Sequence, residues 1–209
     1  MLNQVKTSLN KPLLGFEHVK RYFDPKKKLN VIKIMPGEYY VTNQDEVVTT
    51  VLGSCISACI RDPIAGVGGM NHFMIPSHGR ELSSQDKQLV TRYGLYAMEH
   101  LINDIFKHGG RRKNIEIKLF GGGNIMSTGG NIGSQNIKFV QEFVQTEGYI
   151  VTSKDLGDVY PRKVKYCPLS GKVMMKKLTQ VNKAEIENQE LKLQEKLDRE
   201  NDGGDIDLF

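Results

Sequence analysis

A chain of 209 residues, 39% hydrophobic and 25% charged, carries enough apolar content for one core but hardly two, so a single domain with appendages is expected. Its apolar runs fall far short of the ~20 residues of a membrane-spanning helix, its first residues lack the apolar stretch of a secretion signal, and its three cysteines form no disulfide framework. A cytoplasmic location with reduced thiols and no membrane insertion follows as the expectation. The formal charge of +5 is uneven, because residues 179–209 hold four basic against nine acidic residues and leave a net +10 on residues 1–178. The basic residues lie in small groups (Lys26-Lys27-Lys28, Arg111-Arg112-Lys113, Lys163 and Lys165) without a recognised binding motif, which favours a solvated surface or an acidic protein partner over nucleic acid.

Residues 1–30 are polar, with Pro12 and Pro25, and read as an N-terminal extension laid over the domain or partly mobile. Val31–Val41 reads as a strand broken by Pro36-Gly37, and Glu46–Leu52 as a second, rich in Val and Thr. After Gly53-Ser54, Cys55–Arg61 and Val67–Ile75 flank the turn-forming Asp62-Pro63-Ile64-Ala65-Gly66 as a β-hairpin. Leu89, Tyr93, Ala97, Leu101 and Ile105 share one stripe of a helix between Ser83 and Gly109. Ile115, Ile117 and Leu119 alternate as a strand entering Gly121-Gly122-Gly123, which lacks the ending of a P-loop and reads as a tight turn. A second helix is expected from about Ser134 to Glu147, followed by strands at Tyr149–Ser153, Val159–Cys167 and Lys172–Leu178. This order lacks a regular βαβ repeat and points to an α/β sandwich of mixed β-sheet with flanking helices over residues 31–178. Residues 179–209 form an acidic, partly helical C-terminal tail. Its thin apolar stripe (Ile186, Leu193, Leu197) suits a solvated helix or a docking element, and Gly203–Phe209 resembles a short acidic-hydrophobic recognition peptide.

The chemistry gathers between Thr49 and His72. With a hairpin loop of Asp62–Ala65, Arg61 faces Gly66 and Cys55 falls opposite His72 on one sheet face. A shift by one residue puts them on opposite faces, and a bulge at Gly68-Gly69 restores the pairing, so both registers stay open here. A thiol beside an imidazole can be drawn off as thiolate and its leaving group protonated. Gly53 and Ser54 keep the backbone open for a substrate carbonyl and an oxyanion-binding N–H, and Thr49 is a candidate to orient the base. Cys59, in mid-strand, reads as core. A zinc site from Cys55, Cys59 and His72 is the alternative, weakened by atypical spacing and no evident fourth ligand. His18, His78, His100 and His108 read as surface or helix residues.

The runs Val48-Thr49-Thr50-Val51-Leu52-Gly53-Ser54-Cys55 and Gly68-Gly69-Met70-Asn71-His72-Phe73-Met74-Ile75-Pro76, with Phe120-Gly121-Gly122-Gly123, resemble the CheD family of chemoreceptor glutamine deamidases. The resemblance extends over roughly Lys33–Leu178. It implies Cys55 as nucleophile, His72 as general base and acid, and Thr49 as the residue orienting the imidazole. The implied reaction, that of a protein-glutamine glutaminase, converts glutamines on cytoplasmic helices of methyl-accepting chemoreceptors to glutamate with release of ammonia. Some members also cleave glutamate methyl esters, and some bind a CheC-type phosphatase. No metal or organic cofactor is required. A non-catalytic adaptor binding chemotaxis signalling proteins is the competing expectation.

Overall fold

The computed structural model describes residues 10–26, 28–76, 84–125, 131–178 and 183–202. One sheet orders its strands β1 (Lys20–Asp24), β2 (Leu29–Lys33), β4 (Glu46–Leu52), β9 (Arg162–Cys167) and β10 (Lys172–Lys177). The other runs β3 (Tyr39–Thr42), β6 (Val67–Asn71), β5 (Ile56–Asp62), β7 (Glu116–Gly121) and β8 (Ile150–Leu156). Each is mixed: β2 with β4 and β7 with β8 are parallel, and the remaining neighbours are antiparallel. The helices among the described residues are α1 (Ser84–Lys107), α2 (Ile132–Thr146) and α3 (Lys183–Asp202). This is the α/β sandwich of mixed sheet with flanking helices that the order of elements implied.

Burial follows from the layering. Helix α1 contacts β3, β5 and β6, and α2 contacts β5 and β8, so the second sheet is covered by helices on one side and by the first sheet on the other. A strand covered on both faces must be apolar or have each buried polar group hydrogen-bonded, as Ser57 and Asp62 of β5 are. Strand β5, Ile56-Ser57-Ala58-Cys59-Ile60-Arg61-Asp62, is buried everywhere except at Arg61. Strand β9 of the first sheet instead alternates, with Val164 and Tyr166 inward and Lys163 and Lys165 less buried.

Two segments differ from the sequence expectations. Pro36-Gly37 does more than interrupt a strand: it sends β2 and β3 to different sheets, with Gly37 at φ +87°. The expected boundary between residues 30 and 31 falls inside β2, and Lys20–Asp24 upstream of it is the edge strand β1, with Phe16 and Val19 in the core. Arg21 of β1 pairs with the buried carboxylate of Glu46 on β4, which also accepts hydrogen bonds from Tyr40 Oη and Thr42 Oγ1, both at 2.9 Å. A buried charge that loses its partner is costly. Arg21→Ala is therefore expected to lower the unfolding free energy by about 3 kcal/mol, readable as a fall in the urea midpoint; an unchanged midpoint would show the ion pair with Glu46 to be dispensable.

Candidate active site

Cys55 lies where the chain leaves the first sheet at Leu52 and enters the second at Ile56. In the hairpin Asp62 pairs with Val67, so the loop is Pro63–Gly66, held by Asp62 Oδ1 accepting from the backbone N–H groups of Ile64 (2.8 Å) and Ala65 (2.9 Å). The register continues to an Ile56–Phe73 bridge. Extended by one step, it sets His72 opposite Ser57. Cys55 and His72 thus share a face, as the sequence pattern suggested, but as diagonal neighbours rather than a facing pair. Both are fully buried.

The backbone around Cys55 is pinned from one side. The carbonyl of Gly53 accepts from Gly123 N–H (2.8 Å), that of Ser54 from Asn136 Nδ2 (2.9 Å), and that of Cys55 from Gly122 N–H (2.8 Å). The glycine run supplies these donors by close approach: a Cβ on Gly121 would stand 2.1 Å from the Cys55 carbonyl oxygen. The N–H groups of Gly122 and Gly123 are consumed in shaping the turn at Cys55, in keeping with the tight-turn reading. With three successive carbonyls tied back, the N–H groups of Gly53, Ser54 and Cys55 converge on the opposite side and form an anion cradle.

A carboxylate occupies that cradle. Glu190 of α3 accepts from Gly53 N–H (2.9 Å) and Cys55 N–H (3.2 Å) at Oε1, and from Ser54 N–H (2.9 Å) and Ser54 Oγ (2.7 Å) at Oε2. Cys55 Sγ, an imidazole nitrogen of His72 and a Glu190 oxygen all lie within 4.8 Å of one another. That spacing would suit a cation, but each Glu190 oxygen already takes two donors, which makes the site a receptor for an anion or an oxyanion. Cys59 is not part of the cluster, so the Cys55, Cys59 and His72 set considered for zinc does not assemble.

On the imidazole, Nδ1 lies 2.7 Å from Thr50 Oγ1. The single hydroxyl proton of Thr50 is directed to the Ile34 carbonyl at 2.9 Å, so Thr50 accepts from Nδ1–H and Nε2 keeps its lone pair. Nε2 is buried without a hydrogen-bond partner among the described residues, as a proton acceptor awaiting a substrate or thiol proton would be. Thr49 is not brought to the imidazole; its hydroxyl donates to the Val164 carbonyl at 2.9 Å. Adjacent strand residues face opposite ways, and it is Thr50 that turns toward the site. Thr50→Val should cut turnover by roughly tenfold, the lower range for loss of a group that positions an acid-base catalyst, while raising KM little. Thr49→Val should cost less; an equal loss from both would remove the special role of Thr50.

Burial pushes the Cys55 thiol well above its ordinary range, and the charge and hydrogen bond of Glu190 push it further. Burial lowers His72 to about 4, partly offset by Glu190. With Glu190 in place the pair is therefore a neutral thiol and a neutral imidazole. Beside His72 a cavity of about 270 Å³ opens between the first sheet and α3, with Lys33, Pro36 and Lys163 on one wall and Glu185, Ile186 and Gln189 on the other.

Residues 74–177 match the model of the family described as CheD chemotactic sensory transduction. A relative in Hahella chejuensis, named probable chemoreceptor glutamine deamidase CheD, is 45% identical over 93% of this chain and 92% of its own. Another of that name in Herminiimonas arsenicoxydans is 48% identical over 90% and 93%, and one in Saccharophagus degradans is 44% identical over 100% and 98%. The chain belongs to the CheD family. The family-model match begins after Cys55 and His72, but the similarity to the relatives spans nearly the whole chain and takes in both of them, and α3 as far as Glu190. Of the site residues of this CheD-family chain, sequence reasoning missed Thr50 and Glu190. The available signal for Glu190 was its place one turn after Ile186 and two turns before Leu197, the two apolar residues of the tail stripe that the structure buries.

Proposed function

We propose that this protein is a chemoreceptor glutamine deamidase, a protein-glutamine glutaminase acting through Cys55 and His72. The observation that carries the reading is the carboxylate of Glu190, the chemical product of glutamine deamidation, held by three backbone N–H groups within 4.8 Å of a thiol and an imidazole. The names of the relatives supply the substrate class.

The Cys55 sulfur attacks the side-chain carbonyl carbon as its proton passes to His72 Nε2. The carbonyl oxygen, now an oxyanion, takes the place of Glu190 Oε1 against the N–H groups of Gly53 and Cys55, while Ser54 Oγ faces the amide nitrogen. The imidazolium gives its proton to that nitrogen, the C–N bond breaks and ammonia leaves a thioester. Nε2 then takes a proton from water, whose oxygen attacks the thioester; the C–S bond breaks, and glutamate and the thiol are restored. Thr50 holds the ring throughout, the part expected at first of Thr49. A glutamate methyl ester fits the same acyl chemistry with methanol as leaving group. The substrates are the cytoplasmic helices of receptors, and Lys33 and Lys163 beside the site suit acidic helices of that kind. A CheC-type phosphatase is the regulatory partner of this reading. Among the described residues no helix is long and apolar enough to cross a membrane, which accords with work at the cytoplasmic ends of receptors.

The test is ammonia release from a purified receptor cytoplasmic fragment held in large excess. The full chain should turn over many times and the fragment should gain acidity. Tight binding without ammonia, from both the wild type and Glu190→Ala, would favour the adaptor expectation instead.

A further inference from the structure

We infer that α3 is an intramolecular product mimic: it lies along the channel that admits the substrate helix, with Glu190 seated as the reacted side chain, and so closes the site until a receptor helix displaces it. The inference rests on the deamidase reading of Cys55 and His72, and extends it to how the enzyme is held off and which helices it takes.

An ordinary surface helix keeps its carboxylates in water, because a carboxylate out of water costs several kcal/mol unless it is fully hydrogen-bonded. In α3 the outward choice was open, since the helix is mostly polar and half of its described side chains are exposed. Instead the buried stripe is Ile186, Glu190, Gln194 and Leu197, and the carboxylate at its centre is aimed into the anion cradle of the nucleophile turn. Around it the helix rests on the chain between the two sheets: Leu193 reaches within 3.4 Å of where a Cβ of Gly37 would lie, and Gly53 leaves the room that Glu190 fills, since a Cβ there would stand 2.9 Å from both carboxylate oxygens. Glu185 lines the same cavity as Lys33 and Lys163. The acidic charge of the tail thus meets the basic charge of the body at the mouth of the site.

The chemistry makes the seated group a stopper. A carboxylate cannot acylate a thiol, and it satisfies Ser54 N–H with an oxygen where an amide would present a nitrogen that cannot accept. Glutamate therefore fits the cradle better than glutamine, and its charge keeps the thiol protonated. The seat also describes its substrates: a glutamine in the middle of a helix, with an apolar side chain one turn before it and another two turns after, in the places of Ile186 and Leu197.

Glu190→Gln in the full chain tests this directly, because it turns the stopper into a substrate. Attack by Cys55 on the introduced amide would release ammonia and take the oxygen of water, restoring the acid. Peptide mass spectrometry should find the α3 peptide progressively converted at a rate independent of protein concentration, and unconverted when Cys55→Ala is added. Undocking should have the opposite sign from damage: Ile186→Asp with Leu197→Asp should raise iodoacetamide labelling of Cys55 and turnover on receptor fragment by roughly tenfold or more, as expected when a closed state is depopulated. Persistence of the α3 amide in a chain that deamidates receptor fragment would overturn the mimic and leave the deamidase standing. Conversion of the α3 amide without any action on receptor would support the mimic and overturn the receptor assignment. Labelling unchanged by undocking would show that α3 does not close the site.

Discussion

Cys55→Ala is expected to abolish ammonia release from receptor, by about 10⁴-fold or more as for other covalent nucleophiles, while Cys59→Ala and Cys167→Ala retain most of it. The three thiols differ in surroundings rather than in type. Cys55 lies diagonal to His72 on one face, beside the converging N–H groups of its own turn. Cys59 is buried in the middle of β5, where burial pushes its thiol far up and keeps it inert, and Cys167 ends β9 on the other sheet. Removing Cys59 deletes one buried sulfur, a packing loss of about 1 kcal/mol that shows in stability before it shows in rate. A Cys59→Ala chain that is folded yet inactive would refute the assignment.

His72→Ala should lower turnover by ~10²-fold or more and leave the fold intact. The imidazole gives up one hydrogen bond, to Thr50, whose own proton goes to Ile34 and stays satisfied. Removing the buried ring costs packing of about 3 kcal/mol, which shows as a fall in the urea midpoint, and the loss of turnover in the folded chain is in proton transfer at Nε2. The same change should slow alkylation of Cys55 at neutral pH, best read with α3 undocked by Ile186→Asp and Leu197→Asp so that access does not mask reactivity. Equal alkylation rates with and without His72 over a pH series would show the two groups to be uncoupled.

Much of this was legible in the chain itself. The Val-Thr run of Glu46–Leu52 is β4, and the stripe from Leu89 to Ile105 lies within α1. The hairpin brought Cys55 and His72 to one face because parity alone decides the face, even though the loop is placed one residue later than expected. What stayed hidden has physical reasons. Lys20–Asp24 is a half-exposed edge strand with one apolar neighbour pair, so no alternation marks it. Thr49 and Thr50 differ only in which way a strand turns them, and that depends on what the other sheet presents. Glu190 looked like a solvated acid, because its burial is made possible by N–H groups more than a hundred residues earlier in the chain. The recognition peptide expected at Gly203–Phe209 lies outside the described residues.

The most direct measurement follows receptor fragment through the reaction in water enriched in heavy oxygen, scoring every glutamine by peptide mass spectrometry. The expected result is conversion of a few glutamines, all on helices, each gaining one solvent oxygen, with a receptor-linked thioester at Cys55 captured by acid quench. No converted glutamine with either the wild-type chain or Glu190→Ala, or conversion that proceeds equally in Cys55→Ala, would contradict a thiol deamidase at this site.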